Sequence, residues 1–155
     1  MAPITTTTEV DRAPAEVFNY VTDPTRFIEW QRNVLGGHMD TDGPTAVGTK
    51  CLTTRRIGFA KRAITSEVTH IEPPQSWGVH GIDGPIRAIV NVTVDPLDDG
   101  HRSRLTIEVD FEGHGIGKLL VPLAVHRQAR NEMPINLLTL KKRLEARAKP
   151  TSAPR

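Results

Sequence analysis

Histidine and arginine side chains are the groups in this sequence best suited to acid–base or anion-binding chemistry. His126 and Arg130 are four residues apart and interrupt an apolar helical stripe. They could therefore project into a ligand site and bind a carboxylate, carbonyl or phenolate. Alternatively, they lie at the edge of the stripe and reach solvent along their stems. His70 or His80 could act as an acid or base near neutral pH if it lay inside a pocket.

Common metal, phosphate and nucleophile motifs are absent from the sequence. The six histidines form no His-x-x-x-His or His-Glu-x-x-His pair, so we predict no metal and no cofactor. Residues 113–118 (GHGIGK) fail as a phosphate loop because Glu112 stands where a glycine is needed and Leu119 where Ser or Thr is needed. We interpret them as a flexible hinge. Cys51 is interpreted as a small apolar strand residue.

Length and composition favour one soluble domain. The chain has 155 residues, and its apolar stretches are far shorter than the roughly 20 residues of a membrane span. The net charge of +2 combines a mildly acidic part, residues 1–140, with a basic end, residues 141–155. The acidic part lacks a basic stripe with interleaved aromatic residues, so we predict no nucleic-acid partner. Without a recognisable secretory signal, we expect a cytoplasmic protein with no stable membrane insertion.

The apolar pattern predicts one strand, two short helices, a run of strands and a long C-terminal helix. Short connections indicate that successive strands pair antiparallel. The long helix carries apolar residues at three- and four-residue spacing, with Pro122 near its start and Pro134 in its interior, where a kink is expected. The predicted strands are 4–10, 33–40, 47–57, 61–72, 76–82, 86–94 and 102–112, and the predicted helices are 14–22, 25–33 and 118–148.

Alternation along the strands predicts which side chains point inward. The clearest case is 102–112, where four apolar residues alternate with polar ones. In 76–82 two registers are possible, and we prefer Trp77 with Val79 inward over His80 with Ile82. In 47–57 the choice between the face of Cys51, Thr53 and Arg55 and the opposite face stays open. The other predicted inward residues are Ile64, Val68, His70, Ala88, Val90, Val92, Val94, Leu105, Ile107, Val109 and Phe111.

Several segments in this order resemble the START-like (SRPBCC) superfamily, in particular its polyketide cyclase/dehydrase branch. They are residues 10–24 (VDRAPAEVFNYVTDP), 27–30 (FIEW), 47–49 (VGT), 67–74 (EVTHIEPP) and 137–141 (LLTLK). The resemblance covers about residues 4–147. It implies an α+β helix-grip fold, in which a curved antiparallel sheet of about six or seven strands wraps around a long C-terminal helix, with two short helices after the first strand.

The resemblance also implies function. Relatives hold hydrophobic molecules in a cavity between sheet and helix, so we expect residues 4–148 to form a ligand-binding domain and 149–155 a disordered tail. The expected partner is a hydrophobic small molecule such as a lipid, polyketide or aromatic compound, and the protein is expected to be a monomer or homodimer. The predicted cavity residues are Trp30, Val68, His70, Trp77, Val90, Val92, Ile107, Val109, Phe111, Leu123, His126 and Arg130.

The sequence is also compatible with two other functions. A cyclase, aromatase or dehydrase would need polar groups inside the cavity, but no catalytic residue of the family can be matched to a position of this chain. The candidates are Arg55, Glu67, His70, His80, His126 and Arg130. Alternatively, the protein has a stress or partner-binding role without a ligand, which would require a filled, dry core and an apolar surface patch.

Overall fold

A seven-stranded antiparallel sheet is the main element of the computed structural model, which describes residues 2–57 and 59–147. The strand order is β1-β7-β6-β5-β4-β3-β2, so that only β1 pairs with a strand distant in sequence. This confirms the predicted fold class. The strands are β1 Ile4–Val10, β2 Val34–Met39, β3 Lys50–Ile57, β4 Ala60–Glu72, β5 Ser76–Gly81, β6 Ile86–Leu97 and β7 Arg102–Gly113.

Two short helices follow β1, as predicted. α1, Pro14–Val21, begins with proline in the first turn, where its missing N–H is not needed. A turn of 3₁₀-helix, Pro24–Arg26, is capped by the Asp23 carboxylate, which accepts a hydrogen bond from the N–H of Thr25. α2, Phe27–Trp30, ends earlier than predicted because Gln31 is already extended.

The C-terminal helix is not the regular helix predicted from residue 118. It begins as α3, Gly117–Leu120, widens into a π-helical turn at Val121–Val125, and continues as α4, His126–Ala146. Pro122 lies in the wide turn, whereas helical backbone continues through Pro134. Residues 148–155, which include the predicted tail, lie outside the described residues.

The end of α4 is fixed by a buried arginine. Leu137, Leu140 and Leu144 are buried in the core, and next to them Arg12 is only 6% exposed. Its guanidinium donates hydrogen bonds to the backbone carbonyls of Glu145 and Arg147. Glu145 lies in the last turn of α4 and Arg147 is its C-terminal cap, and carbonyls at a helix end lack helical partners. Arg12 therefore ties the junction of β1 and α1 to the C-terminus of α4.

Replacing Arg12 should destabilise the fold strongly. We expect Arg12→Met to lower the free energy of unfolding by about 2–4 kcal/mol, because buried carbonyls lose charged donors. The measurement is urea unfolding followed by circular dichroism. The matched control is Arg26→Met, which removes ion pairs of a half-exposed side chain and should cost under about 1 kcal/mol. Equal losses in both variants would contradict this role of Arg12.

Candidate functional site

A cavity of about 240 Å³ lies between the concave face of the sheet and the helices α2 and α4. Its apolar wall is formed by cross-strand neighbours: Trp77 pairs with Val92, and Val92 with Ile107. Such pairs place their side chains on the same face of the sheet. Helix α4 supplies the opposite wall with Ala129 and Met133. The cavity thus has the apolar lining typical of small-molecule sites.

Arg55 on β3 gives one end of this cavity a positive charge. Its Nη1 donates a hydrogen bond to Oε1 of Gln31 at 2.8 Å, and its Nε donates to Oγ1 of Thr53 at 3.3 Å. Both partners are neutral, and Arg55 forms no ion pair with any carboxylate of the described residues. Burial lowers the pKa of Arg55 below its usual value. The guanidinium is therefore a partly buried cation with no ion-pair partner among the described residues.

The structure also decides which face of β3 points inward, a choice that the sequence left open. Cys51 and Thr53 are buried, and together with Arg55 they line the cavity. The β-bulge between Val34 and Gly36 on β2 shifts only the pairing with the neighbouring strand, while β3 itself alternates regularly. Of the two faces considered from the sequence, the one with Cys51 points inward.

Cys51 is unsuited to nucleophilic chemistry. Burial raises the pKa of its thiol to about 11, although the positive charge of Arg55 opposes this change. The thiolate is the reactive form of cysteine, so the buried thiol is inert near neutral pH.

The reactivity of Cys51 provides a simple test of this environment. In the folded protein we expect almost no reaction of the thiol with Ellman's reagent at neutral pH, because both protonation and burial protect it. With a pKa of about 11 only a small fraction of the thiol is ionised even at pH 9, so at that pH the native protein should still react far more slowly than the urea-unfolded chain. A fast reaction of the native protein at neutral pH would show that this environment is described wrongly.

A second polar group on the cavity wall was missed by the sequence analysis. Gln128, Glu132 and Asn136 on α4 all line the cavity. The carboxylate of Glu132 accepts hydrogen bonds from the side-chain amides of Asn33 and Gln128. Their regular four-residue spacing on one helix face was the available signal. This spacing was not interpreted as part of a site, because a polar helix face is usually taken to be solvent-exposed.

The two tryptophans of the cavity wall have unused hydrogen-bond donors. Trp30 is 6% and Trp77 is 2% exposed, yet neither buried indole N–H has a partner among the described residues. Buried polar groups are normally paired, and an unpaired donor costs about 1–3 kcal/mol. Each unpaired N–H is therefore a local cost in the structure of the cavity wall.

Seven of the residues predicted for the cavity line it in the structure. They come from four elements: α2, β5, β6 and β7. Val68 does not line the cavity, because it is completely buried in the core beside it. The side chain of Leu123 lies outside the described residues. The seven residues are Trp30, Trp77, Val90, Val92, Ile107, Val109 and Phe111.

The predicted inward position of His70 is wrong. The pairing of β4 with β5 shifts between Val68 and His70, so that Val68 pairs with Val79 but His70 with Gly78. This β-bulge inserts one residue and reverses the alternation that the sequence indicated. The His70 ring now lies against Gly78 on the outer face, where a Cβ would overlap it.

Glu67 and His80, which were candidates for an enzyme site, also lie on the outer face. They are opposite each other on β4 and β5, next to the inward-facing Ser66 and Val79. His80 Nε2 is 2.8 Å from the carboxylate of Glu112, and this contact lowers the pKa of Glu112. These polar side chains therefore form a surface network away from the cavity.

His126 and Arg130 do not reach the cavity either. Val125 and Ala129, each one position earlier in the chain, line the cavity in their place. One residue corresponds to about 100° of rotation on a helix, so the predicted pair lies on a neighbouring face. His126 Nε2 is 3.1 Å from the backbone carbonyl of Ala2, and Arg130 is exposed.

Comparison with known proteins identifies the family. The family model described as "Polyketide cyclase / dehydrase and lipid transport" matches residues 1–145. The chain therefore belongs to this family of START-like (SRPBCC) proteins. No curated protein matches the sequence significantly.

Similar solved structures agree with the fold. The Zhui aromatase/cyclase from Streptomyces sp. R1128 has a TM-score of 0.75 at 11% identity, over 92% of this chain and 93% of that chain. The protein TTHA0849 from Thermus thermophilus has a TM-score of 0.72 at 15% identity, over 93% and 97%. Ara h 8.0201 has a TM-score of 0.68 at 13% identity, over 94% and 98%. At these identities the similarity concerns the fold alone.

Within residues 2–57 and 59–147, no helix is both long and apolar enough to cross a membrane. In the same part of the chain, no group of three or more His, Cys, Asp or Glu side chains is arranged to hold a metal ion.

Proposed function

We propose that this protein binds a small, flat, hydrophobic molecule with an anionic or strongly polar oxygen at one end. The apolar body would lie between the β5–β7 wall and α4, and its oxygen would accept hydrogen bonds from Arg55. The observation that carries this proposal is the partly buried guanidinium, without an ion-pair partner, at the end of a cavity whose β5–β7 wall is apolar. Buried charges usually have an ionic partner, so a ligand anion is the natural complement.

The size of the cavity supports a small ligand. Its volume of about 240 Å³ lies below the roughly 300–1,000 Å³ of sites for drug-sized molecules. Among the ligand classes expected from the sequence, this volume favours an aromatic compound of one or two rings over a long lipid.

An enzymatic role is the second candidate. Of the six polar residues considered from the sequence, only Arg55 lines the cavity, but Glu132 now joins it. In a cyclase or dehydrase, Arg55 would stabilise a developing oxyanion and Glu132 would accept a proton. We rank binding first because Arg55 makes its contacts with neutral groups, and no histidine lines the cavity among the described residues.

The remaining expectations from the sequence stay predictions. They are a cytoplasmic location, the absence of a nucleic-acid partner, a monomeric or homodimeric state and a ligand-binding domain over residues 4–148. A partner-binding role without a ligand is less favoured, because it called for a filled core.

Charge selection by Arg55 can be measured with a matched pair of compounds, 2-naphthoate and 2-naphthamide. We expect the protein to prefer the carboxylate, and Arg55→Met to weaken its binding about 10-fold or more because a charge-assisted hydrogen bond is lost. Binding of the neutral amide should change by less than about twofold. Isothermal titration calorimetry gives both dissociation constants.

The control for this experiment is Arg104→Met, which removes an exposed arginine of β7 and should affect neither compound. If Arg55→Met weakened both compounds equally, Arg55 would be part of the scaffold only. If the unmodified protein bound neither compound, the proposed site itself would be rejected.

Filling the cavity should abolish binding without unfolding the protein. Ala129 lies on the α4 wall, and Ala129→Phe would place a ring in the space available to a ligand. We expect loss of binding for both naphthyl compounds while circular dichroism and cooperative unfolding are retained. The control, Ala146→Phe at the exposed end of α4, should bind normally. Unchanged binding by a folded Ala129→Phe variant would place the ligand elsewhere.

A further inference from the structure

Three exposed apolar side chains lie at one end of the molecule. Phe59, in the turn between β3 and β4, is fully exposed, and Ile116 and Leu119 at the start of the C-terminal helix are 65% and 64% exposed. The turn and the helix start meet the same end of the sheet, where β3 ends at Ile57 and β7 ends at Gly113. Phe59 and the helix start thus lie at the same end of the sheet, with β5 and β6 between them, and apolar exposure at both places favours a broad interaction surface.

The β3–β4 hairpin also carries a concentrated positive charge. Residues 43–66 contain five Lys or Arg and no Asp or Glu. In the sheet, Arg55 lies directly opposite Arg62, and Arg56 directly opposite Lys61. Like charges in directly opposed positions destabilise a strand pair. Arg56 and Lys61 lie on the face of these strands opposite to that of Arg55, so an external anionic surface would relieve the repulsion between them.

These cations are left without carboxylate partners in the protein. The side chains of Arg56, Lys61 and Arg62 are exposed and form no ion pair with a described residue. Elsewhere, Arg26 and Arg102 each pair with two carboxylates. Asp83 in the β5–β6 turn forms no ion pair with these cations either, and its carboxylate accepts a hydrogen bond from the backbone N–H of Thr65.

We propose that this end of the molecule docks reversibly on a membrane that contains anionic phospholipid. Phe59, Ile116 and Leu119 insert into the headgroup region, and the hairpin cations Arg56, Lys61 and Arg62 contact the lipid phosphates. Apolar insertion combined with basic residues is the general basis of peripheral membrane binding. A nucleic acid would also attract the cations, but it offers no apolar phase for the aliphatic side chains Ile116 and Leu119.

The docking end coincides with one end of the cavity. Ile57 and Ile86 line the cavity and lie at the end of β3 and the start of β6, on this side of the sheet. Docking would therefore bring the cavity close to the membrane, where a hydrophobic ligand could be exchanged. This last consequence rests on the proposed function, whereas docking itself does not.

The test is co-sedimentation of the full chain with vesicles of phosphatidylcholine, with or without phosphatidylserine. We expect binding only to the vesicles with phosphatidylserine, weakened by added salt. The double variant K61Q/R62Q should bind about 25-fold more weakly, because each cation near an anionic surface contributes about fivefold. Phe59→Ser should also weaken binding, and its effect should persist at high salt, since it removes apolar insertion.

Two matched controls separate docking from general effects of charge and apolarity. K142Q/R143Q removes two exposed cations from the far end of α4, and Leu138→Ser removes an exposed apolar side chain from the same helix. Both should bind vesicles normally. The proposal is overturned if K61Q/R62Q binds as well as the unmodified protein, if the controls lose as much, or if the protein retards a single-stranded oligonucleotide but ignores the vesicles. Naphthoate binding is measured in parallel, so that failure of docking and failure of the ligand site are told apart.

Discussion

The guanidinium of Arg55 sets the main constraint on the candidate site, because it lies partly buried at one end of the cavity with neutral hydrogen-bond partners. The amide of Gln31 and the hydroxyl of Thr53 replace part of its hydration but none of its charge. Removing a charge from water without an opposite charge is unfavourable, so an anionic ligand would complement this site. The position of the cation also gives the cavity a direction, with a charged end on β3 and an apolar wall on β5 to β7.

The sheet and the C-terminal helix produce this cavity together. Seven strands curl around α4, while Arg12 fixes the C-terminus of that helix and its buried leucines fill the core beside it. Toward the N-terminus of α4, where Ala129 faces the sheet side, space remains between helix and sheet. One half of the helix therefore stabilises the fold, and the other half borders the ligand space.

Regular periodicity was sufficient to predict much of this architecture. The alternation of Ile107, Val109 and Phe111 identified their strand and the side that lines the cavity. The β-bulge beside His70 could not be predicted, because a single inserted residue has no signature in the alternation of β4. On the helix, the apolar stripe continued through His126 and Arg130, whereas the cavity-facing side is one residue earlier. Glu132 was missed because its burial depends on Asn33, which is distant in sequence.

The most direct test of this account uses the two tryptophans, which are the only ones in the chain. In a ¹⁵N–¹H correlation spectrum they give two indole N–H signals, and Arg55 contributes a side-chain Nε–H signal. Titration with 2-naphthoate should shift all three signals with one common dissociation constant, because Trp30, Trp77 and Arg55 line the same cavity. If these three signals stayed unchanged while residues of the outer sheet face such as His80 shifted, the cavity would not be the binding site.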